Sequence, residues 1–128
     1  MIRCVRIWTN AQGDSVFEEG IIDLPKGERG DVLSAMAATS SISFRETRAG
    51  GAFDPHTAPT RQFVITLRGS LLFKTRSGDT FSITPGDILL AEDTVGSGHS
   101  WQLVDDEPWL RAYAILAPDA APLFKANA

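Results

Sequence analysis

The chain has two histidines, His56 in HTAPTRQ and His99 in GSGHSW. Imidazole exchanges its proton near neutrality, with an ordinary pKa of about 6.5, and in its neutral form it is a common metal ligand. Two imidazoles brought together could hold a transition metal, move a proton or anchor a polar ligand. Each histidine here is flanked by glycine or proline turns and by strand-like runs. Whether they form one site therefore depends on how those strands are arranged.

Other chemistry-bearing residues are weaker candidates. The single cysteine, Cys4, can form no internal disulfide, and it is read as a packed strand residue with nothing nearby to lower its pKa. Gly96-Ser97-Gly98 is short and has no helix after it, so it is a turn and not a phosphate cradle. No nucleophile elbow occurs, and no motif places an acid beside the hydroxyls near His99. Glu92 and Asp93 are adjacent on a strand-like run, so they should point to opposite faces and cannot form a facing carboxylate pair. Arg29-Gly30-Asp31 matches an adhesion tripeptide and is read as a chance match.

Composition limits the setting. At 128 residues the chain is expected to form one domain, 1–128, large enough to bury a core without metal or disulfide. Twelve basic and 16 acidic residues give a net charge of −4, with both signs scattered along the chain. That excludes the basic surface needed to bind nucleic acid and the polybasic segment needed to bind a membrane. The opening MIRCVRIW lacks the apolar stretch of a secretory leader, and no run approaches the roughly 18 apolar residues of a membrane span. The expected location is the cytoplasm.

Short strand-like runs separated by turns dominate from residue 42 onward. They are ISFRETR (42–48), RQFVITL (61–67), LLFKTR (71–76), TFSI (80–83), DILLAE (87–92), HSWQLV (99–104) and WLRAYAIL (109–116). Turn signals at Gly69-Ser70, Ser77-Gly78-Asp79 and Thr84-Pro85-Gly86-Asp87 separate them. This spacing predicts an all-β sandwich or barrel of two antiparallel sheets. RCVRIW (3–8) and SVFEEGIIDL (15–24) predict two further strands, added at a sheet edge or paired with a second subunit. Segment 25–41 reads as a long loop or as a helical turn or two around Val32 to Ala38, and the tail is expected to fray beyond Leu123-Phe124.

Gly50, His56, Gln62 and Gly69 fall in the order and spacing of the first cupin motif, and TPGDILLAEDTVGSGH, ending at His99, resembles the second. The sequence thus resembles a small single-domain cupin over about residues 42–116. The resemblance implies an all-β cupin-type double-stranded β-helix, a jelly-roll barrel of antiparallel strands with extra N-terminal strands. It also implies a divalent metal held by three histidines and a glutamate. In this chain Ala58 stands at the second histidine position and Gln62 at the glutamate position. The implied metal set is therefore His56, Gln62 and His99, suited to Fe, Mn, Ni, Cu or Zn but short of one ligand and one negative charge. The other reading is a pocket whose histidines make only hydrogen bonds.

Period-two alternation extends the site. If Gln62 points inward, so do Val64 and Thr66; with His99 go Trp101 and Leu103, and Tyr113 can offer its hydroxyl. Arg61 and Asp93 flank the motifs and read as surface charges able to reach the rim, with Arg61 kept as a substrate-binding candidate. Two functions follow. One is a metal-dependent enzyme on a small organic substrate, of dioxygenase, isomerase or lyase type. The other is a non-catalytic barrel that binds or senses a small-molecule ligand without metal. A homodimer is also expected, because Phe63, Ile65 and Leu67 would face away from the barrel interior and need cover from the N-terminal strands or a partner subunit.

Overall fold

A computed structural model describes residues 1–127. Among them are 13 strands and no helix. In chain order these are β1 (Ile2–Thr9), β2 (Ser15–Ile22), β3 (Lys26–Glu28), β4 (Asp31–Leu33), β5 (Thr39–Thr47), β6 (Ala52–His56) and β7 (Gln62–Arg68). Then come β8 (Leu71–Thr75), β9 (Thr80–Ile83), β10 (Ile88–Glu92), β11 (His99–Leu103), β12 (Trp109–Leu116) and β13 (Phe124–Ala126).

A seven-stranded sheet runs β13-β2-β1-β10-β7-β12-β5, and it faces a four-stranded sheet ordered β6-β11-β8-β9. From β5 onward the chain crosses repeatedly between them: β5, β7, β10 and β12 lie in the large sheet, and β6, β8, β9 and β11 in the small one. This alternation is a double-stranded β-helix, so the architecture is an all-β, cupin-type barrel. No helix in the described residues is long and apolar enough to cross a membrane.

Several local expectations are corrected. Segment 25–41 holds neither a helical turn nor one long loop: β3 and β4 form a hairpin. Its tip carries Arg29 at φ 52° and Gly30 at φ 87°, the paired left-handed geometry of a two-residue hairpin turn. Arg29-Gly30-Asp31 is thus explained by the turn alone. The tail does not fray directly beyond Phe124; Lys125 and Ala126 continue β13 against β2. The large sheet is not wholly antiparallel, because β1 pairs with β10 in parallel, from Cys4↔Ile88 to Trp8↔Glu92. Strand β6 was not legible in AFDPH because proline removes a ladder donor. It is tolerated there because β6 is an edge strand.

Apolar residues form two cores. Between the sheets lie Val5, Ile7, Leu71, Phe73, Ile83 and Trp109. On the outer face of the large sheet lie Cys4, Phe63, Ile88, Leu90 and Leu116. Strand β7 supplies both, sending Val64 inward and Phe63 outward as its alternation requires. Phe63 and Ile65 belong to an outer core against which this chain's own Leu123, Phe124, Ala120 and Ala37 also pack, while Leu67 stays half exposed. Cys4 is fully buried, and that burial pushes its thiol pKa up to about 12, which removes it as a nucleophile.

The tail's seat depends on Gly20, where an added Cβ would lie 2.6 Å from the Phe124 ring. Gly20→Val is therefore expected to lift β13 and open the outer core, although valine favours strands. The expected loss is about 1–3 kcal/mol, the usual range for overpacking. A urea unfolding midpoint unchanged from wild type would show that the tail contributes nothing to the fold.

Candidate functional site

Strands β6 and β11 lie side by side in the small sheet, with His56 directly opposite His99. Their ring centroids are 4.8 Å apart. Gly98 makes this approach feasible, since any Cβ there would collide with the His56 carbonyl group. Phe53 stacks on His56 at 4.3 Å, and Phe73 lies 5.8 Å from His99. Hydrogen bonds orient both rings: His56 Nδ1 is 2.9 Å from the Asp54 carbonyl, and His99 Nδ1 is 2.6 Å from Asp93 Oδ2. An imidazole that donates from Nδ1 keeps Nε2 as its remaining acceptor. Neither Nε2 has a hydrogen-bond partner among the described residues.

Asp93 is the residue that sequence reasoning misplaced. It is 0% exposed and is no surface charge. Its Oδ2 accepts from Ser15 Oγ at 2.6 Å as well as from His99, and its Oδ1 is sealed without a partner. A buried carboxyl bonded to an imidazole holds that ring in one orientation, the arrangement that makes a histidine an effective acceptor or base. The alternation rule did separate the neighbouring acids. Glu92 faces the other way, to Arg6 and Arg61.

Between the sheets opens a cavity of about 550 Å³. At one end are His56, His99, Gln62 and Ala58; its walls include Val64, Leu89, Phe73 and Trp101; at the other end are Trp109, Arg111, Tyr113 and Arg45. Of the candidates read from sequence, His56, Gln62, His99, Val64, Trp101 and Tyr113 line this space. Thr66 points inward but is buried beneath the wall, where its hydroxyl accepts from Trp109 Nε1 at 3.1 Å. Leu103 packs against the inner core without lining the cavity. Arg61 also lies outside it, held by Glu92 at 2.5 Å and by the Ala120 carbonyl at 2.9 Å. Sequence reading missed Arg111 and Arg45, although Arg111 shares the inward phase of Tyr113 two residues away on β12.

The donors at the histidine end were tested against the metal that a cupin resemblance implies. They amount to two imidazoles and one neutral amide, since Ala58 contributes no ligand. Among the described residues no group of three His, Cys, Asp or Glu side chains stands together to hold an ion. No acid lines the cavity, and Asp93 is occupied by His99 and Ser15. A dication there would have no anionic ligand and would share the space with two guanidinium groups. This set does not fit a resident divalent metal.

No family model matches the chain, and no curated protein does. Solved structures do resemble it. An uncharacterized conserved protein with a double-stranded beta-helix domain from Klebsiella pneumoniae has a TM-score of 0.48 at 14% identity, covering 82% of this chain and 91% of that one. Drosophila melanogaster CENP-C has a TM-score of 0.47 at 10% identity, covering 88% and 72%. The cupin domain of Schizosaccharomyces pombe Cnp3 has a TM-score of 0.45 at 17% identity, covering 91% and 83%. At such scores the function has to be read from the cavity itself.

Burial is the main cause that lowers the His56 pKa below its ordinary 6.5, and neighbouring His99 adds to it; the Asp54 carbonyl and the Asp93 charge oppose the shift. The unfolded chain therefore takes up this proton more readily than the folded one. The neutral imidazole's contribution to stability is complete above pH 6.5 and is lost as pH falls through the folded value. Urea midpoints measured between pH 8 and 5 should fall more steeply for wild type than for His56→Gln. Parallel profiles would contradict the assignment.

Proposed function

We propose that this protein binds a small organic molecule between its two sheets and does so without a resident metal. The observation that carries this reading is the cavity itself. It is of ordinary ligand-site size, mostly apolar and aromatic, with a few polar groups converging on it. Gln62 is buried yet has no hydrogen-bond partner among the described residues, which leaves its amide to a ligand. One observation favours a catalytic version. The buried Asp93–His99 pair presents an oriented imidazole to the same space, suited to taking a proton from a bound substrate.

The test uses tag-free protein and follows tryptophan fluorescence and thermal stability against a panel of small organic compounds, with and without a chelator. A saturable response that survives chelation is expected. Ala58→Phe should abolish it, because its ring would fill the histidine end. A stoichiometric transition metal in the purified protein, or a response lost on chelation, would restore the metal-dependent enzyme as the better reading.

We also propose that two copies pair through β5. This edge strand of the large sheet is exposed along nearly its whole length, with Ile42 62% and Phe44 69% accessible beside the exposed Leu67. Antiparallel pairing about Ser43 would set Ile42 of one copy against Phe44 of the other. It would hydrogen-bond an edge that is otherwise open to indiscriminate pairing. Sedimentation should show a dimer at micromolar concentration that Phe44→Lys converts to monomer; a wild-type monomer would refute the pairing.

A further inference from the structure

Arg111 and Arg45 are directly opposed on β12 and β5, on the face that lines the cavity. Like charges placed opposite each other across a ladder repel. Here they do so where no aspartate or glutamate lines the space. Neither arginine has an ion-pair partner among the described residues, whereas Arg3, Arg6, Arg61 and Arg68 each have one.

Arg111 is the more telling of the two, at 3% exposed. Its guanidinium lies 3.7 Å from the Trp109 ring centroid, and is held there by bonds from Nε to the Tyr113 hydroxyl at 3.1 Å and from Nη1 to Thr47 Oγ1 at 2.7 Å. Nη1 also reaches the Trp109 carbonyl at 3.2 Å. Nη2 makes no hydrogen bond among the described residues, and Arg111 lines the cavity, which leaves this nitrogen to a ligand. Burial lowers the pKa of Arg111, Tyr113 opposes the shift and the charge of Arg45 adds a smaller lowering, but a guanidinium stays protonated at any physiological pH. Stacking on aromatic faces offsets part of the desolvation and fixes the planar fork without supplying a counter-charge.

We propose that the Arg111 end of the cavity is a subsite for the carboxylate of a small organic acid. The inference rests on the small-molecule reading of the cavity and names its ligand class. The unbonded Nη2 of this fixed guanidinium can donate to a carboxylate oxygen, and Arg45 supplies a second positive charge from the exposed side. Phosphate is the poorer match, because its stronger hydration must be given up in a cavity lined mostly by apolar and aromatic side chains.

The ladder also sets the ligand's length. Gln62 is opposite Ile115, and Thr66 is opposite Arg111. Four residues of strand separate the two polar ends, about 13 Å between backbones before the side chains reach inward. The fitting ligand is an acid with an apolar or aromatic body and a hydroxyl or carbonyl at its far end, within reach of His56, His99 and Gln62.

Calorimetric titration tests this with benzoate, phenylacetate and 4-hydroxybenzoate, each beside its neutral amide, and with inorganic phosphate and phenyl phosphate. At least one acid should bind at least about tenfold more tightly than its amide, equivalent to about 1.4 kcal/mol. Arg111→Gln should weaken the acid to the level of the amide and leave the amide unchanged. The exposed Arg45→Gln, which folds whatever befalls the buried variant, should weaken the acid by a smaller factor, about two- to threefold. Amides binding as tightly as acids would overturn the carboxylate subsite and leave the small-molecule reading standing. Phosphates binding more tightly than every carboxylate would replace the carboxylate with a phosphoryl group. If no compound of the series binds, both readings fall.

Discussion

The large sheet is apolar on both faces along its central strands, and this constraint shapes the rest of the molecule. Strand β7 sends Val64 inward and Phe63 outward; β10 sends Leu89 and Ala91 one way, and Ile88 and Leu90 the other. A sheet of this kind must be covered twice. The small sheet covers one face. On the other, Leu123 and Phe124 pack against the outer core from the tail, whose β13 extends the sheet beside β2. Covering both faces removes about 25 cal/mol of unfavourable hydration per Å² of apolar surface.

The two faces are finished differently. The outer core is closed, whereas the inner one is packed near the β8–β9 side and left open near β6, β11 and β12. Phe73 and Phe81 stack at 5.0 Å to fill the first part. Trp101 and Trp109, 4.7 Å apart, form a wall in the second. Against that wall sit the polar groups an interior normally avoids: a carboxyl sealed on one oxygen, an imidazole pair and a guanidinium without a counter-ion. The imidazoles and the guanidinium are held by hydrogen bonds on one side and face the cavity on the other, while the carboxyl lies sealed behind His99. Polar groups kept this way destabilise the empty protein unless water or a ligand completes them, and their concentration in one space is what makes it the candidate site.

Charge then separates the cavity's two ends. The histidine end is neutral when its imidazoles are neutral, and the Asp93 charge lies behind it, out of the cavity. The arginine end is permanently positive. On the proposed reading, this gradient would orient an organic acid with its anion toward Arg111 and its far end toward the Nε2 atoms. The same polarity disfavours a metal dication at the histidines. Ala58, which offers no ligand atom, and the neutral Gln62 agree with the arginines opposite.

Most of the barrel was legible in the chain, because alternation and turn residues are local. TFSI and WLRAYAIL are strands to the residue, and the glycines at 69, 78 and 86 take the left-handed geometry their turns require. The meeting of His56 with His99 was legible through motif spacing, as was the inward phase of Gln62, Val64, Trp101 and Tyr113. What stayed hidden depends on contacts between residues far apart in sequence. Nothing near Asp93 says that Ser15, far upstream, will bond it in the interior. Nothing near Arg61 says that Glu92 will hold it away from the cavity. Arg111 and Arg45 look like any strand arginines until the ladder sets them opposite each other in a space without acids. Local pattern determines which face of a strand a side chain takes. Only the assembled sheets decide what charge and what solvent that face will meet, because both are supplied by strands brought in from elsewhere in the chain.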